Sequence, residues 1–242
     1  ALTGEDFIGA GTSLKFYVFE GNQAYDITPI RSSNNAVTFA ATNGSNIITA
    51  TDTSHGAVLN DFVTFSGAAS LGGQITAAVL NREYQIYEIV SPDVYKFVAT
   101  ATASGSDTGN GGASAKAAYQ INTGQDNATF GAGWGAGVWG RGTWNSAANV
   151  TIPSASLRLW SQDNFGEDLI MNVRNGDIFY WDTSGGVSSR AVALSTLSGA
   201  QAAPTVAAIV LVSEKDRHVI AFGCDPESAS GTQDPLTIRF SS

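Results

Sequence analysis

The chain has 242 residues, 27 of them glycine, and a formal net charge of −9 at pH 7 with only 14% charged residues. Its 12 basic residues are scattered, which excludes the clustered Lys/Arg surface that attracts duplex DNA. The single cysteine, Cys224, excludes an internal disulfide and a zinc cluster, and no run of about 18 apolar residues is present to span a membrane.

The N-terminal part, residues 1–35, is predicted to be an arm followed by a β-hairpin. Residues 1–13 show no apolar periodicity, which favours an extended arm or loop. The hairpin strands are predicted over Leu14–Glu20 and Ala24–Ile30, with a turn at Gly21-Asn22 between them. Pro29 cannot donate a ladder hydrogen bond and marks the end of the second strand.

Residues 36–118 are rich in Val, Ile, Thr, Tyr and Phe in short runs with no helical stretch. This pattern predicts an inserted small β-sandwich or barrel. The predicted strands are Val37–Ala41, Asn46–Thr51, Asp61–Ser66, Glu83–Val90 and Val94–Thr100. The Ser/Gly-rich segment Thr102–Gly112 is predicted to be a flexible linker that ends the insert.

Residues 119–242 contain all five tryptophans of the chain, which lie within 134–181. Trp134, Trp139 and Trp144 follow one another at intervals of five with glycines between them. Glycine allows close backbone packing, and aromatic side chains of this kind are typical of a core or a subunit contact. We therefore take these three tryptophans as the candidate interface residues.

Two antiparallel meanders are predicted in the same region. The first has apolar runs at Leu157–Trp160, Leu169–Val173 and Ile178–Trp181, and its Asn175-Gly176 pair predicts a type I′ turn.

The second meander has apolar runs at Ala207–Ser213, His218–Cys224 and Leu236–Ser241. Two such meanders in succession are typical of neighbouring blades of a β-propeller. The predicted fold class is therefore all-β, with propeller-like meanders, an inserted β-sandwich and little or no helix.

Several motifs that carry chemistry elsewhere are weak here, and we predict no catalytic residue, cofactor or metal. Gly135–Gly140 matches GxGxxG but opens no helix, so close packing is the better interpretation. Ser213, Asp216 and His218 share one hairpin without a visible oxyanion loop. Cys224 ends an apolar strand and is predicted to be a buried small hydrophobe.

An acidic turn allows a different interpretation, in which carboxylates bind a cation or act in catalysis. Asp163, Glu167 and Asp168 cluster there, and such carboxylates can hold a cation such as Ca²⁺ or carry out glycosidic acid/base catalysis. The other interpretation is a turn whose carboxylates accept hydrogen bonds from their own backbone. A site for sugar rings, formed by this turn, Tyr180 and the three glycine-flanked tryptophans, therefore stays an alternative interpretation.

Seven motifs stand out from the rest of the sequence: GTSLKFYVFEGNQAYDITPIR at 11–31, AAYQINTG at 117–124, GWGAGVWGRGTW at 133–144, LRLWSQDNFGEDLI at 157–170, GDIFYWD at 176–182, EKDRHVIAFGC at 214–224 and GTQDPLTIRFSS at 231–242. With these motifs the chain resembles the β-propeller-bearing tail tube or nozzle-type virion structural proteins of tailed bacteriophages, of which it looks like an N-terminal portion. HGAVLNDFVTFSG at 55–67 resembles the immunoglobulin-like modules that such virion proteins carry.

The resemblance implies a non-enzymatic, ring-forming component of the phage tail. Its partners would be further copies of the chain and other tail or neck proteins of the virion, with no membrane anchor. DNA would pass through the assembly without specific binding, since an acidic wall repels phosphate. Two alternatives remain open: a carbohydrate- or receptor-binding β module of a phage tail, and a glycan-cleaving enzyme.

Overall fold

The computed structural model describes residues 7–124, 157–200, 202–213 and 215–241. These residues form 17 strands in four antiparallel sheets, which confirms the all-β class. Helical structure in the described part is limited to Ala77–Leu80 and to 3-10 turns at Thr183–Gly185, Leu194–Thr196 and Glu227–Ala229. No helix among these residues has the length and hydropathy needed to cross a membrane.

Sheet 1 contains the predicted hairpin and one additional strand. Its strands are β1 (Phe7–Gly11), β2 (Phe16–Glu20) and β3 (Gln23–Asp26), in that order. The hairpin is confirmed, and Gly21 takes a positive φ of 58° in its two-residue turn. The prediction of an extended arm or loop over residues 1–13 is wrong for β1, which pairs with β2 along its whole length. Its alternation is hidden in the sequence because two of its five residues are glycine.

Sheet 2 is built from residues 30–120 and has the strand order β4-β10-β7-β8-β9-β6-β5. Its strands are β4 (Ile30–Asn34), β5 (Thr38–Ala41), β6 (Ile47–Thr51), β7 (Phe62–Ser66), β8 (Glu83–Ser91), β9 (Val94–Val98) and β10 (Lys116–Gln120). All five strands predicted for the insert are present. The sequence did not predict β4 and β10, which pair with each other where the chain enters and leaves this sheet.

Sheet 2 folds back on itself around one hydrophobic core. Phe39 on β5 and Phe65 on β7 are four strand positions apart, which is about 19 Å in a flat sheet. Their ring centroids are nevertheless 4.9 Å apart, in an edge-to-face contact. The two halves of the sheet therefore face each other as in a sandwich, with the long strand β8 pairing with β7 at one end and β9 at the other.

The segment Thr102–Gly112, for which we predicted a flexible linker, packs against sheet 2 instead. Ala103 and Asp107 are both buried within it. The backbone N–H of Phe39 donates to Asn110 O at 2.9 Å, so the segment also continues the hydrogen bonding of β5. Its Ser/Gly composition is that of a linker, but the adjacent strands supply partners for its backbone polar groups.

Sheet 3 is the first predicted meander with a corrected first strand. Its strands are β11 (Trp160–Phe165), β12 (Asp168–Val173), β13 (Ile178–Trp181) and β14 (Val192–Ala193). The prediction of a first strand over Leu157–Trp160 is wrong, because β11 begins where that apolar run ends. Most residues of β11 are polar, and their side chains form hydrogen bonds with the neighbouring sheets.

The turn between β12 and β13 also differs from the prediction. Asn175 has a φ of 58°, but Gly176 lies outside the left-handed region, so the turn is not type I′. The N–H of Gly176 donates to Val173 O at 2.8 Å, and a positive φ at the third position is typical of a type II turn.

Sheet 4 is the second predicted meander. Its strands are β15 (Ile209–Val212), β16 (Val219–Phe222) and β17 (Ile238–Phe240), each of which lies within one of the three predicted runs. This prediction is confirmed.

Strand β11 connects to sheet 1 through two of its side chains. Trp160 Nε1 donates to Thr12 O at 2.8 Å, and Gln162 Nε2 donates to Gly9 O at 3.0 Å. Because alternate side chains of a strand point to opposite faces, these two residues occupy the same face of β11. That face is directed at the first strand of sheet 1.

The intervening residues of β11 bond to sheet 4. Ser161 Oγ accepts from Val210 N at 3.0 Å, and Asp163 Oδ2 accepts from Val212 N at 2.8 Å. These side chains satisfy amides on the edge of β15 that no backbone strand pairs with. The first strands of sheets 1, 3 and 4 therefore lie side by side, with β11 in the middle.

Two apolar clusters fill the spaces between these sheets. Between sheets 1 and 3 the buried members are Phe16, Val18, Ile27, Met171, Phe179, Trp181 and Ala191. Between sheets 3 and 4 they are Ile170, Ile178, Ala207, Val210, Val212, Val219, Ala221 and Cys224. Sheets 1, 3 and 4 are thus stacked in succession, so the N-terminal hairpin packs with the meanders. The sheets formed by the described residues do not close a ring.

Candidate functional site

The three candidate interface tryptophans, Trp134, Trp139 and Trp144, lie outside the described residues, as does the glycine motif Gly135–Gly140. Their assignment as contact residues stays a prediction.

The acidic turn lies at the end of the β11–β12 hairpin, where two of its carboxylates bind other elements. Asp168 Oδ2 accepts from the hydroxyl of Tyr180 at 2.5 Å, and its Oδ1 accepts from the N–H and the hydroxyl of Thr183, both at 3.0 Å. Burial and the bond to Asp168 raise the pKa of Tyr180 above its ordinary value. Asp163 accepts from its neighbour Asn164 at 2.9 Å in addition to Val212 on sheet 4. Both carboxylates therefore connect backbone segments.

A cleft of about 480 Å³ opens between sheets 1 and 3 beside this turn. Its lining residues are Phe7, Ile8, Gly9, Val18, Gln162, Asp163, Asn164, Gly166, Glu167, Asp168, Leu169 and Trp181. The volume is within the range of small-ligand sites, and the wall offers amides and carboxylates beside an aromatic ring. In the described part of the chain, no group of three His, Cys, Asp or Glu side chains is placed to hold a metal ion. The amides and carboxylates of the wall can form hydrogen bonds with a ligand.

Two other motif residues, Cys224 and His218, lie in structural environments. Cys224 is fully buried, and burial raises the pKa of its thiol. The interpretation as a small hydrophobe is confirmed. His218 packs its ring edge against Phe240, with ring centroids 6.4 Å apart.

A cluster of four charges, which the sequence did not predict, joins three parts of the molecule. Lys15 Nζ lies 2.8 Å from Asp26 Oδ2 and also contacts Glu83. Arg190 lies 3.1 Å from Asp26 Oδ1 and 3.2 Å from Glu83 Oε2. Gln120 Nε2 donates to Glu83 at 2.5 Å. We call this set the charged junction, because it connects sheet 1, sheet 2 and the segment between β13 and β14.

The charged junction is partly shielded from water. Lys15 is only 6% exposed, and its ammonium lies 4.2 Å from the centroid of the Phe62 ring. Burial would raise the pKa of Asp26, but hydrogen bonds from Lys15 and Thr28 and the charge of Arg190 outweigh it and hold that pKa below 3.8. The two positive and two negative charges cancel, and such pairing is required for charged side chains in a buried site.

A second polar network lies inside sheet 2. The hydroxyl of Tyr119 donates to Asp52 and lies 2.9 Å from the hydroxyl of Tyr95. Asn34 Nδ2 donates to the other carboxylate oxygen of Asp52 at 2.8 Å. Burial raises the pKa of both tyrosines, so they stay protonated and donate. His55 is also buried, and its Nδ1 accepts from Ala57 N at 3.0 Å within the turn.

Asn172 on β12 connects sheets 3 and 4 from a fully buried position. Its Oδ1 accepts from Ser161 Oγ at 3.2 Å. Its amide nitrogen lies within hydrogen-bonding distance of four carbonyl oxygens, those of Val173 at 2.9 Å, Gly176 at 3.0 Å, Asp177 at 3.1 Å and Ala207 at 3.3 Å. Two N–H groups shared among four acceptors make this side chain the polar centre of the contact.

Asp177 carries an unfavourable charge beside this contact. Burial and the nearby charge of Asp225 raise the pKa of Asp177 to about 6, against a hydrogen bond from Ile178 that lowers it. A carboxyl whose folded pKa exceeds 3.8 favours folding when protonated and opposes it when ionised. The protein should therefore lose stability as the pH rises from about 4 to about 6.

We expect Asp177→Asn to raise the free energy of unfolding by about 1–2 kcal/mol at pH 8 and to leave it unchanged at pH 4, since a two-unit shift is worth about 3 kcal/mol before solvent screening. The asparagine keeps an oxygen for the N–H of Ile178, so the hydrogen bond remains. Urea unfolding at both pH values measures the difference. An equal gain at pH 4 and pH 8 would contradict the electrostatic explanation.

No protein-family model matches the sequence. No curated protein sequence matches it either. Among solved structures, this chain is similar to phage phi92 endosialidase, with a TM-score of 0.31 and 11% identity over 90% of this chain and 34% of that chain. The chain thus spans about a third of the length of that structure.

Proposed function

We propose that the protein is a non-enzymatic structural component of a bacteriophage tail, of the ring-forming nozzle type that its sequence resembles. The observation that carries the proposal is the stack of sheets 1, 3 and 4, whose first strands lie side by side around β11. A stack of this kind supports the propeller-like architecture that the resemblance implies.

The use of polar side chains supports a structural role. Asp163 and Asp168 accept backbone hydrogen bonds from other elements, and Asn172 holds four carbonyl oxygens between two sheets. The charged junction fixes sheet 2 to sheet 1. Side chains placed in this way resist deformation, which a tail component needs when the genome passes.

The negative net charge of the chain supports the proposal of a conduit that does not bind DNA. With 21 acidic and 12 basic residues the chain repels phosphate at neutral pH. We expect no retardation of a duplex DNA fragment in gel-shift assays at about 150 mM salt, the ionic strength at which weak nonspecific contacts are screened. Tight duplex binding under these conditions would contradict the conduit.

Location in the particle is the direct test of the proposal. Antibodies raised against the purified chain and coupled to gold should label the tail or neck of phage particles in electron micrographs. Mass spectrometry of purified particles should recover its peptides in several copies per particle. Labelling of the head alone, or absence of the peptides from the particles, would contradict the proposal.

A second candidate function is glycan binding in the cleft between sheets 1 and 3. The observation that favours it is the wall of this cleft, where Gln162, Asn164 and Glu167 lie beside Phe7. Titration with a host polysaccharide in a calorimeter should give a saturable binding signal, and Glu167→Gln should weaken the binding. An unchanged signal at saturating polysaccharide would eliminate this candidate.

A further inference from the structure

The chain contains three Asn-Gly pairs, at Asn43-Gly44, Asn110-Gly111 and Asn175-Gly176. This pair is the most reactive context for asparagine, because the backbone nitrogen of the glycine can attack the side-chain carbonyl carbon without obstruction by a Cβ. Attack requires that the glycine N–H be free of its own hydrogen bond, since the nitrogen must lose its proton. The three pairs differ in this respect.

Two of the pairs have an occupied glycine N–H. The N–H of Gly44 donates to Ala103 O at 2.9 Å, and the N–H of Gly176 donates to Val173 O at 2.8 Å. A proton held between an amide nitrogen and a carbonyl oxygen is not released without breaking that bond. In both turns the nucleophile is therefore withdrawn from reaction while the chain is folded.

The pair Asn110-Gly111 differs from both. The N–H of Gly111 donates a hydrogen bond to none of the residues that the structure describes. Asn110 is exposed, and its Oδ1 accepts from Gly112 N at 3.2 Å. This bond closes a turn that holds the Gly111 nitrogen and the Asn110 side-chain carbonyl carbon in one ring. It also polarises the carbonyl and stabilises the oxygen anion that forms when a nucleophile adds to it.

We propose that Asn110 is a site of spontaneous deamidation in the folded protein. Hydroxide removes the proton of the Gly111 N–H, and the nitrogen forms a bond to Asn110 Cγ. The bond from Cγ to Nδ2 then breaks, and the nitrogen leaves as ammonia after it has taken a proton from water, which restores the hydroxide. Water opens the resulting cyclic imide at either carbonyl group. The products are aspartate and isoaspartate, each with one additional negative charge.

Formation of isoaspartate alters the contact of this segment with sheet 2. Asn110 O accepts from Phe39 N at 2.9 Å, and Gly111 O accepts from Ala69 N at 2.7 Å. In isoaspartate the main chain runs through Cγ, so the carbonyl group that accepts from Phe39 leaves the main chain and the chain gains one methylene. The two hydrogen bonds cannot both keep their geometry. Since Phe39 belongs to the core of sheet 2, the reaction loosens the segment that covers β5.

The experiment incubates the full chain at mildly alkaline pH and follows the three pairs by peptide mass spectrometry, in which the change from amide to acid is measured at each asparagine. In the folded chain, we expect Asn110 to convert at least about tenfold faster than Asn43 and Asn175, because each of those sites must first break one hydrogen bond. In guanidinium chloride, the three sites should convert at similar rates, because unfolding removes these bonds.

The matched variant is Asn110→Ser, because a serine hydroxyl can accept from Gly112 N in a turn of the same kind but cannot form the imide. On isoelectric focusing this variant should stay a single species, whereas Asn43→Ser should acidify at the rate of the wild type. Hydrogen exchange of the Phe39 and Ala69 amides should be at least about tenfold faster in the purified isoaspartate form than in Asn110→Ser.

Three results would overturn the proposal. The first is conversion of Asn43 or Asn175 as fast as Asn110 in the folded chain. The second is conversion of Asn110 only after unfolding, and the third is acidification of Asn110→Ser at the rate of the wild type. Unchanged hydrogen exchange at Phe39 and Ala69 in the isoaspartate form would refute the loosening of sheet 2.

Discussion

Asn172→Asp should lower the free energy of unfolding by about 4 kcal/mol at pH 7, the largest single effect that we expect in this protein. The substitution changes no volume. It replaces two N–H donors by a carboxylate that faces the four carbonyl oxygens around the fully buried Asn172 side chain. The carbonyl groups keep their backbone donors but lose the side-chain donor, and an unpaired negative charge is buried between sheets 3 and 4. Urea unfolding followed by circular dichroism measures the loss.

The matched control for this substitution is Asn175→Asp, three residues further along the chain. Asn175 Oδ1 accepts from Gln233 Nε2 at 3.0 Å at an exposed position, and a carboxylate accepts equally well. We expect a change within about 0.5 kcal/mol. The loss in Asn172→Asp should also shrink in acid, because a protonated carboxyl can donate one hydrogen bond. Equal losses in the two variants would show that the Asn172 amide does not hold the sheets together.

Lys15→Met should lower the free energy of unfolding by about 3 kcal/mol, because it removes one partner from a largely buried set of charges. Methionine can still fill the space over the Phe62 ring. Asp26 and Glu83 would then face each other with only Arg190 to neutralise them. Since these contacts join sheet 2 to sheet 1, limited proteolysis should also cut the connections near residues 30 and 120 faster in the variant.

The control for the charged junction is Lys96→Met, which removes the partner of Glu88 at 3.0 Å on the surface of sheet 2. The two side chains of this pair are 32% and 46% exposed, so we expect a loss below about 1 kcal/mol.

The pH dependence of the free energy of unfolding supplies a further check on the charged junction. The pKa of Asp26 is held below 3.8, so its stabilisation is present above that pH and is lost as the pH falls through the lowered value. Acid should therefore destabilise the wild type more than Lys15→Met.

Local sequence patterns predicted most of the strands and both meanders. Most strands of sheets 2 and 4 are short runs of β-branched and aromatic residues bounded by turn residues, a signal that depends only on neighbouring positions. The pattern failed at β1, which is rich in glycine, at β11, which is polar, and at β4 and β10, which contain few such residues. In β11 the polar residues are required by the contacts with Thr12, Val210 and Val212, and no local signal encodes these distant partners.

The sequence predicted less of the candidate site than of the fold. The charged junction joins Lys15, Asp26, Glu83 and Arg190, which lie too far apart in the chain for a spacing rule to connect them. Asn172 looked like an ordinary polar residue in a strand, although its partners include Ala207 on the neighbouring sheet. The sequence predicts that Asp163 and Asp168 cluster, but whether they face a ligand or the backbone depends on which strand packs beside them.

The sequence by itself determined the all-β class, the acidic surface and the positions of the tight turns, because composition and alternation of side chains act over a few residues. Only the tertiary structure decided which sheets stack and that sheet 1 packs with the C-terminal meanders. These properties depend on pairing between residues more than a hundred positions apart, such as Gly9 with Gln162 and Thr28 with Arg190. Side chains at such separations are brought together by packing of the whole chain, and no local preference specifies them.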